Sequence, residues 1–209
     1  PQYQKDTLSS INDEILAKFY GCGSPVPPAI ECKTILDLGC GTGRDVYMLA
    51  KLVGEKGKVI GIDMTDEQLA VATEHQQYHA DEFGYAKPNT AFHKGFIETL
   101  DDLPLEKGSF DIIVSNCVVN LATDKKAVLQ GAYDLLKPGG EMYFSDVYAD
   151  RRVPREMAED EVLYGECLSG ALYWGDFERI AREVGFLDPR LVNTRPLTIE
   201  NPKLEERVK

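Results

Sequence analysis

A short apolar run that stops at three closely spaced glycines constrains the fold of this chain more than any other feature. Thr34–Leu38 is followed at once by Gly39, Gly41 and Gly43, and then by the helical pattern of 44–53. That order predicts a buried strand, a tight turn and a helix. Because the N–H groups of such a turn and the helix N-terminus point toward one place, the segment predicts an anion-binding turn at the edge of a parallel sheet.

Strand and helix patterns go on alternating along the rest of the chain. Repeated alternation predicts a parallel sheet with helices on both faces, which is the doubly wound, Rossmann-like α/β class. We interpret 147–175 as a helical insert and 190–199 as a late strand. The other predicted strands cover 58–63, 90–94, 110–115 and 141–146, and the predicted helices cover 8–20, 44–53, 66–83, 124–136 and 176–184.

The spacing of the glycines indicates the kind of ligand. Gly-x-Gly-x-Gly is typical of class I methyltransferases, whereas dinucleotide-binding folds favour Gly-x-Gly-x-x-Gly. Asp63 ends the second strand, where an acidic side chain can accept hydrogen bonds from both ribose hydroxyls of a cofactor, although it could also be a simple turn residue. Met64 beside it could pack on adenine. We expect an S-adenosylmethionine site built from Tyr20, Asp37, Gly39, Gly41, Gly43, Asp63, Met64, Ile97, Glu98 and Asn116.

Three of the five cysteines are predicted to lie on the same rim as this cofactor. Ligands of a doubly wound sheet bind beyond the carboxyl ends of its strands. Cys117 directly follows the fourth strand, Cys167 lies in the insert, and Cys22 lies in a glycine-flanked turn after the N-terminal helix. Each could instead be a small buried hydrophobe. Three thiols near a methyl donor favour a soft metalloid as ligand. Zinc is the competing ion, but it would normally need a fourth ligand, and the histidines lie elsewhere.

At these residues the chain closely resembles the arsenite S-adenosylmethionine methyltransferase family. The resemblance implies that Cys117 and Cys167 hold As(III) and that Cys22 is a redox and binding partner. It also implies that Cys40 is a loop residue that presents its backbone, and we interpret Cys32 as structural. The motifs that carry the resemblance cover nearly the whole chain: YGCG at 20–23, DLGCGTGRD at 37–45, GIDM at 61–64, SNCVVNL at 115–121, YFSDVY at 143–148 and GECLSGALY at 165–173.

The reaction implied by the resemblance is methylation of trivalent arsenic, as arsenite or methylarsenite, for detoxification. The arsenic lone pair would attack the sulfonium methyl group, so no general base is needed. A thiol reductant, thioredoxin or glutathione, would then restore the trivalent state. Two alternatives stay open: methylation of a small organic nucleophile, which needs a deprotonating His or carboxylate at the rim, and a non-catalytic metalloid-binding module.

Composition limits the partners and the compartment. The formal net charge of −12 would repel a nucleic acid, and no apolar run is long enough to span a bilayer. The odd number of cysteines, without short-range pair spacing, argues against a disulfide framework, so we expect the cysteines to rest as thiols. We also expect a cytoplasmic protein and a monomer. We expect a cofactor domain over 1–150 and an arsenic-binding region over 151–209. Both ends are expected to lack pieces, among them the family's additional N-terminal cysteine and its C-terminal domain.

Overall fold

A five-stranded parallel sheet forms the centre of the molecule. The computed structural model describes residues 2–19, 21–154, 157, 168 and 170–197. The sheet strands β1 to β5 are Thr34–Leu38, Lys58–Asp63, Thr90–Lys94, Phe110–Asn116 and Leu136–Ser145. They lie in the order β3-β2-β1-β4-β5, and every neighbouring pair is parallel. The predicted doubly wound α/β class is confirmed.

The strand order places a ligand crevice at one position. From β1 the chain moves outward through β2 to β3, and then returns to the other side of β1 to form β4 and β5. In open sheets of this kind, ligands bind at the carboxyl ends of the strands where the winding reverses. Here that position lies between β1 and β4.

Helices cover both faces of the sheet because successive strand residues point to opposite sides. Ile35 packs in an apolar layer with Val46 and Leu49, whereas its neighbour Leu36 packs in a second layer with Val128. The helices α1 to α7 are Gln2–Leu8, Asp13–Ala17, Arg44–Val53, Asp66–Glu74, Gln76–Phe83, Lys125–Leu135 and Trp174–Val184. Within the described residues, no helix is long and apolar enough to cross a membrane.

Two predicted helices are each divided. The single helix predicted over 8–20 is wrong, because α1 ends at Leu8 and α2 starts only after Asn12, whose side chain accepts a hydrogen bond from the Glu14 N–H at 2.9 Å. A side chain that satisfies an N–H in this way starts a new helix. The helix predicted over 66–83 is interrupted at His75.

The region after β5 differs most from the prediction. A helical insert is predicted over 147–175, but at its two ends Tyr148–Ala149 (β6) and Leu172–Tyr173 (β7) pair as short parallel strands, and α7 begins at Trp174. Aromatic packing of Tyr148 and Trp174 on Phe177 accounts for this arrangement. Met157 is helical, and most of the middle of the insert lies outside the described residues. No strand forms over 190–197, the described part of the predicted late strand. No described strand lies beside this segment to supply hydrogen-bond partners.

A buried histidine makes the stability of the fold depend on pH. The His79 ring is stacked on Tyr47, its Nδ1 hydrogen-bonds to the His75 carbonyl at 2.8 Å, and its Nε2 accepts the Asn12 N–H at 3.3 Å. Burial lowers the pKa of His79 to about 4 from its usual 6.5. The folded state therefore favours the neutral ring, and its contribution to stability is complete above pH 6.5 and is lost as the pH falls toward 4.

We expect this loss to be about 2 kcal/mol in the free energy of unfolding, after allowance for water near the ring. Urea unfolding of the parent and of His79→Phe, at pH 7 and at pH 4.5, measures it. Because phenylalanine keeps a stacked ring and cannot titrate, the variant should lose less stability over this interval. The same loss in both proteins would rule out His79 as the source.

Candidate active site

A cavity of about 450 Å³ opens at the carboxyl ends of the strands, at the position where the winding reverses. Its volume is in the range of sites for small molecules and cofactors. Of the predicted site residues, the cavity wall contains Asp37, Gly39, Gly41, Asp63, Met64, Ile97, Glu98, Asn116 and Cys117. Other wall residues are not among the predicted site residues, for example Lys18, Phe19, Arg44, Asp45, Gln68 and Phe96.

The glycine-rich turn follows β1 and forms one wall of the cavity. Gly39 has a φ of 75°, and a Cβ there would lie 2.5 Å from the Val118 side chain, so only glycine fits. Gly41 has a φ of 53°, and a Cβ there would meet only Gln68 Oε1, at 3.9 Å. Both residues line the cavity. The third glycine, Gly43, does not line the cavity. It caps α3 and faces Phe92 and Tyr47.

Asp63 ends β2 and organises this turn. Its Oδ2 accepts the Gly41 N–H at 2.9 Å, and its Oδ1 accepts the Thr65 N–H at 2.9 Å. A carboxylate has about four acceptor positions, so both oxygens can still receive a ligand hydroxyl. Met64 and Phe96 stand beside it with 60% and 57% of their surface exposed, and they give the mouth of the cavity an apolar lining.

Four carboxylates line the cavity and give it a negative character: Asp37, Asp45, Asp63 and Glu98. Asp37 is buried, and burial, together with the nearby charges of Asp45 and Asp63, raises its pKa well above the usual value. Burial also raises the pKa of Asp45, while Arg44 and Asn116 oppose that shift. A ligand with positive charge would relieve the repulsion between these groups. Sequence analysis missed Arg44 and Asp45, although they directly follow the glycine-rich turn.

The two predicted arsenic-site cysteines in the described part of the chain are joined. Cys22 and Cys117 form a disulfide with their Cα atoms 5.9 Å apart. The expectation that all cysteines rest as thiols is therefore wrong for this pair. Cys117 follows β4 with a left-handed φ of 59°, and its N–H donates to the Ser145 carbonyl at 2.8 Å. Cys117 lines the cavity, so one half of the disulfide lies on the cavity wall.

The other cysteines have different positions. Cys40 is buried, and burial, followed by the charges of Asp37 and Asp63, raises the pKa of its thiol well above the usual value, so a reactive thiolate is disfavoured. Cys32 is exposed, which corrects the interpretation that it is structural.

Two predicted site residues, Tyr20 and Cys167, lie outside the described residues. The described residues contain no group of three or more His, Cys, Asp and Glu side chains placed to hold a metal ion. The predicted site of three thiols is therefore not assembled within the part of the chain that the structure describes.

The geometry of the cavity agrees with the proteins to which the chain is similar. Residues 31–185 match the family model of the methyltransferase domain. The chain is 57% identical to an arsenite methyltransferase of Aquipseudomonas alcaligenes, over all of this chain and 60% of that protein. It is 47% identical to the human arsenite methyltransferase, over 98% of this chain and 55% of that protein. The chain thus spans little more than half the length of these curated relatives.

A solved structure gives the same result. The crystal structure of an arsenic(III) S-adenosylmethionine methyltransferase from Chlamydomonas reinhardtii superposes with a TM-score of 0.95 at 51% identity, and covers all of this chain and 69% of that one. The open backbone of Gly41, the acceptor oxygens of Asp63 and the apolar mouth of the cavity fit the methyl donor named there. The chain belongs to the arsenite S-adenosylmethionine methyltransferase family, on the class I methyltransferase fold.

Proposed function

We propose that this chain carries the site at which a methyl group passes from S-adenosylmethionine to trivalent arsenic held by cysteine thiolates, as a step of arsenic detoxification. One observation supports the proposal most strongly. Cys117, which is bonded to Cys22, lies at the wall of a cavity whose glycine-rich turn and terminal strand carboxylate fit the cofactor. Soft thiolate ligands suit a thiophilic metalloid.

The cavity residues have distinct roles in this proposal. The glycine-rich turn at Gly41, whose N–H is held by Asp63, packs against the methionine end of the cofactor, and Asp63 accepts hydrogen bonds from the ribose. The cofactor carries a sulfonium and an ammonium group. Their positive charges are attracted by the carboxylates of Asp37 and Asp45, which line the cavity. When bound, S-adenosylmethionine supplies an electrophilic methyl group that the lone pair of As(III) attacks.

The disulfide sets a condition for arsenic binding. Sulfurs in a disulfide are not thiolate ligands, so the Cys22–Cys117 bond must be reduced before As(III) can bind there. Cys167 then supplies a further thiolate. The protein contributes mainly position, because a held arsenic atom makes the encounter with the methyl group effectively unimolecular.

The thiol pair also has a role after transfer. Methylation consumes the arsenic lone pair and formally oxidises arsenic to the pentavalent state. Cys22 and Cys117 can return two electrons to arsenic by closing their disulfide, and thioredoxin or glutathione then reopens it. Because both reductants act in a reducing compartment, we propose a cytoplasmic enzyme. We also propose that it is a monomer, with 1–150 as the cofactor domain and 151–209 as the arsenic-binding region.

Methyl transfer from S-adenosylmethionine to arsenite, with glutathione or thioredoxin as reductant, tests the proposal. We expect methylated arsenic from the parent chain and none from Cys117→Ser. Methylation of a small organic acceptor without arsenite would favour the alternative substrate class. That alternative needs a deprotonating His or carboxylate at the rim. None of the three histidines lines the cavity, but carboxylates such as Asp45 and Glu98 do, so the assay decides between the two substrate classes. Tight arsenic binding without S-adenosylmethionine binding would favour a non-catalytic module.

A further inference from the structure

We propose that Asn116 is a positioning residue that holds the Cys22 turn against Cys117 and so sets how readily these two cysteines form their disulfide. The inference rests on the proposed function only in the purpose it gives to the cysteine pair, which is to bind and reduce arsenic. The effect of Asn116 on the disulfide does not depend on it. Asn116 ends β4 directly before Cys117, and its side chain crosses to the turn that contains Cys22.

The amide of Asn116 makes reciprocal hydrogen bonds with one residue of that turn. Its Nδ2 donates to the Gly23 carbonyl at 2.9 Å, and its Oδ1 accepts the Gly23 N–H at 3.1 Å. The second Nδ2 hydrogen donates to Asp45 Oδ2 at 2.8 Å. These three hydrogen bonds fix the orientation of the amide, and both of its N–H groups are used within the protein. The side chain is 8% exposed, so water competes little for these bonds.

These bonds join the immediate neighbours of the two cysteines. Gly23 follows Cys22 and Asn116 precedes Cys117. The amide therefore joins the two chain segments that contain the cysteines, which are 95 residues apart in the sequence. The turn also packs too closely for a side chain at Gly23, where a Cβ would collide with Ser145. The cysteines are thus held at disulfide distance by contacts other than the disulfide itself.

The amide is in turn anchored at the cofactor cavity. Asp45, which accepts from Asn116, also pairs with Arg44 at 2.8 Å, and the Arg44 guanidinium lies 3.9 Å from the centre of the Phe19 ring. Phe19 precedes the Cys22 turn and lines the cavity. A continuous set of contacts therefore connects the wall of the cavity to the cysteine pair.

The step that Asn116 assists is formation of the Cys22–Cys117 disulfide, with glutathione disulfide as the oxidant. The thiols of Cys22 and Cys117 lose two protons and two electrons in total, and their sulfurs form one S–S bond. Glutathione disulfide takes up the two electrons and two protons, its S–S bond breaks, and two molecules of glutathione result. A side chain that holds the thiols together raises the equilibrium constant of this exchange, because less freedom is lost when the bond closes.

Equilibration of the chain in glutathione redox buffers at pH 8, with intact-mass readout of thiol alkylation, tests the proposal without arsenic or cofactor. Asn116→Ala should lower the equilibrium constant for disulfide formation about tenfold, which raises the reduction potential by about 30 mV. Asn89→Ala is the matched control. Its Nδ2 donates to the Ala50 and Gly54 carbonyls at 3.0 and 3.1 Å, at the C-terminal end of α3, whereas Asp45 lies at the N-terminal end. The control should leave the potential within about 5 mV of the parent.

Asn116→Asp is the second variant, for the case in which the alanine variant does not fold by circular dichroism. It keeps the shape and the acceptor for the Gly23 N–H but loses both donors, to the Gly23 carbonyl and to Asp45, and sets a second carboxylate against Asp45. We therefore expect an effect at least as large as the roughly tenfold change in the alanine variant. Potentials of the folded Asn116 variants equal to that of the parent would overturn the proposal, as would an equal shift in Asn89→Ala. Loss of arsenic methylation with the expected potentials would count against the proposed function alone.

Discussion

Cys117→Ser is expected to abolish tight binding of As(III) while leaving the affinity for S-adenosylmethionine within about threefold of the parent. A serine hydroxyl is a hard, protonated and poor ligand for a soft metalloid, and it is nearly the same size as the thiol. We expect a loss of affinity of at least about 100-fold, or about 2.7 kcal/mol. Titration of the reduced chain with arsenite and, separately, with phenylarsine oxide measures this loss.

The controls in this titration separate the cysteines. Cys167→Ser should lose binding in the same way, whereas Cys32→Ser should bind like the parent because Cys32 is exposed and does not line the cavity. Cys22→Ser should still bind arsenic through the remaining pair but should lose methylation if its thiol serves chiefly in reduction. If Cys117→Ser bound both compounds like the parent, the arsenic site would be wrong, and a small organic substrate would become the leading interpretation.

Asp63→Ala is expected to weaken S-adenosylmethionine binding by about 1–3 kcal/mol, or roughly 5- to 150-fold. The variant loses the acceptors for the ribose hydroxyls. It also loses the hydrogen bonds from the Gly41 and Thr65 N–H groups, which hold the glycine-rich turn. Isothermal titration calorimetry measures the change.

Asp66→Ala is the matched control for this change. It also removes one carboxylate, three residues further along, from an exposed side chain that pairs with Lys94 rather than with the cavity. We expect its affinity to stay within about twofold of the parent. Unchanged affinity in Asp63→Ala would remove Asp63 from the cofactor site, and an equal loss in Asp66→Ala would indicate a general effect of charge.

Local patterns were sufficient to predict the centre of the fold. The bounds predicted for β1, β2, β3 and α3 agree with the structure, because each is a short apolar or amphipathic run bounded by glycine or charged residues. The positions of Gly41 and Asp63 followed from the same patterns, since both lie at the carboxyl ends of recognisable strands. Topology then placed them at one cavity.

Features that depend on distant contacts could not be predicted in this way. The strand predicted over 190–199 does not form over its described residues, where Leu191 and Val192 are exposed and no described strand lies beside them. Nothing near Cys22 in the sequence indicates that it pairs with Cys117, 95 residues away. Asn116 was correctly placed at the cavity, but its hydrogen bonds to Gly23 depend on the path of a proline-rich loop that local patterns do not specify.

A single-turnover experiment tests the central claim most directly. The chain is reduced, loaded with arsenite and S-adenosylmethionine, freed of excess reductant and then quenched at intervals, and S-adenosylhomocysteine and methylated arsenic are quantified together. We predict that both products appear at the same rate in a one-to-one ratio, that Cys32→Ser behaves like the parent, and that Cys117→Ser gives neither product. S-adenosylhomocysteine without methylated arsenic, or turnover by Cys117→Ser at the rate of the parent, would contradict methyl transfer to thiolate-bound arsenic at this site.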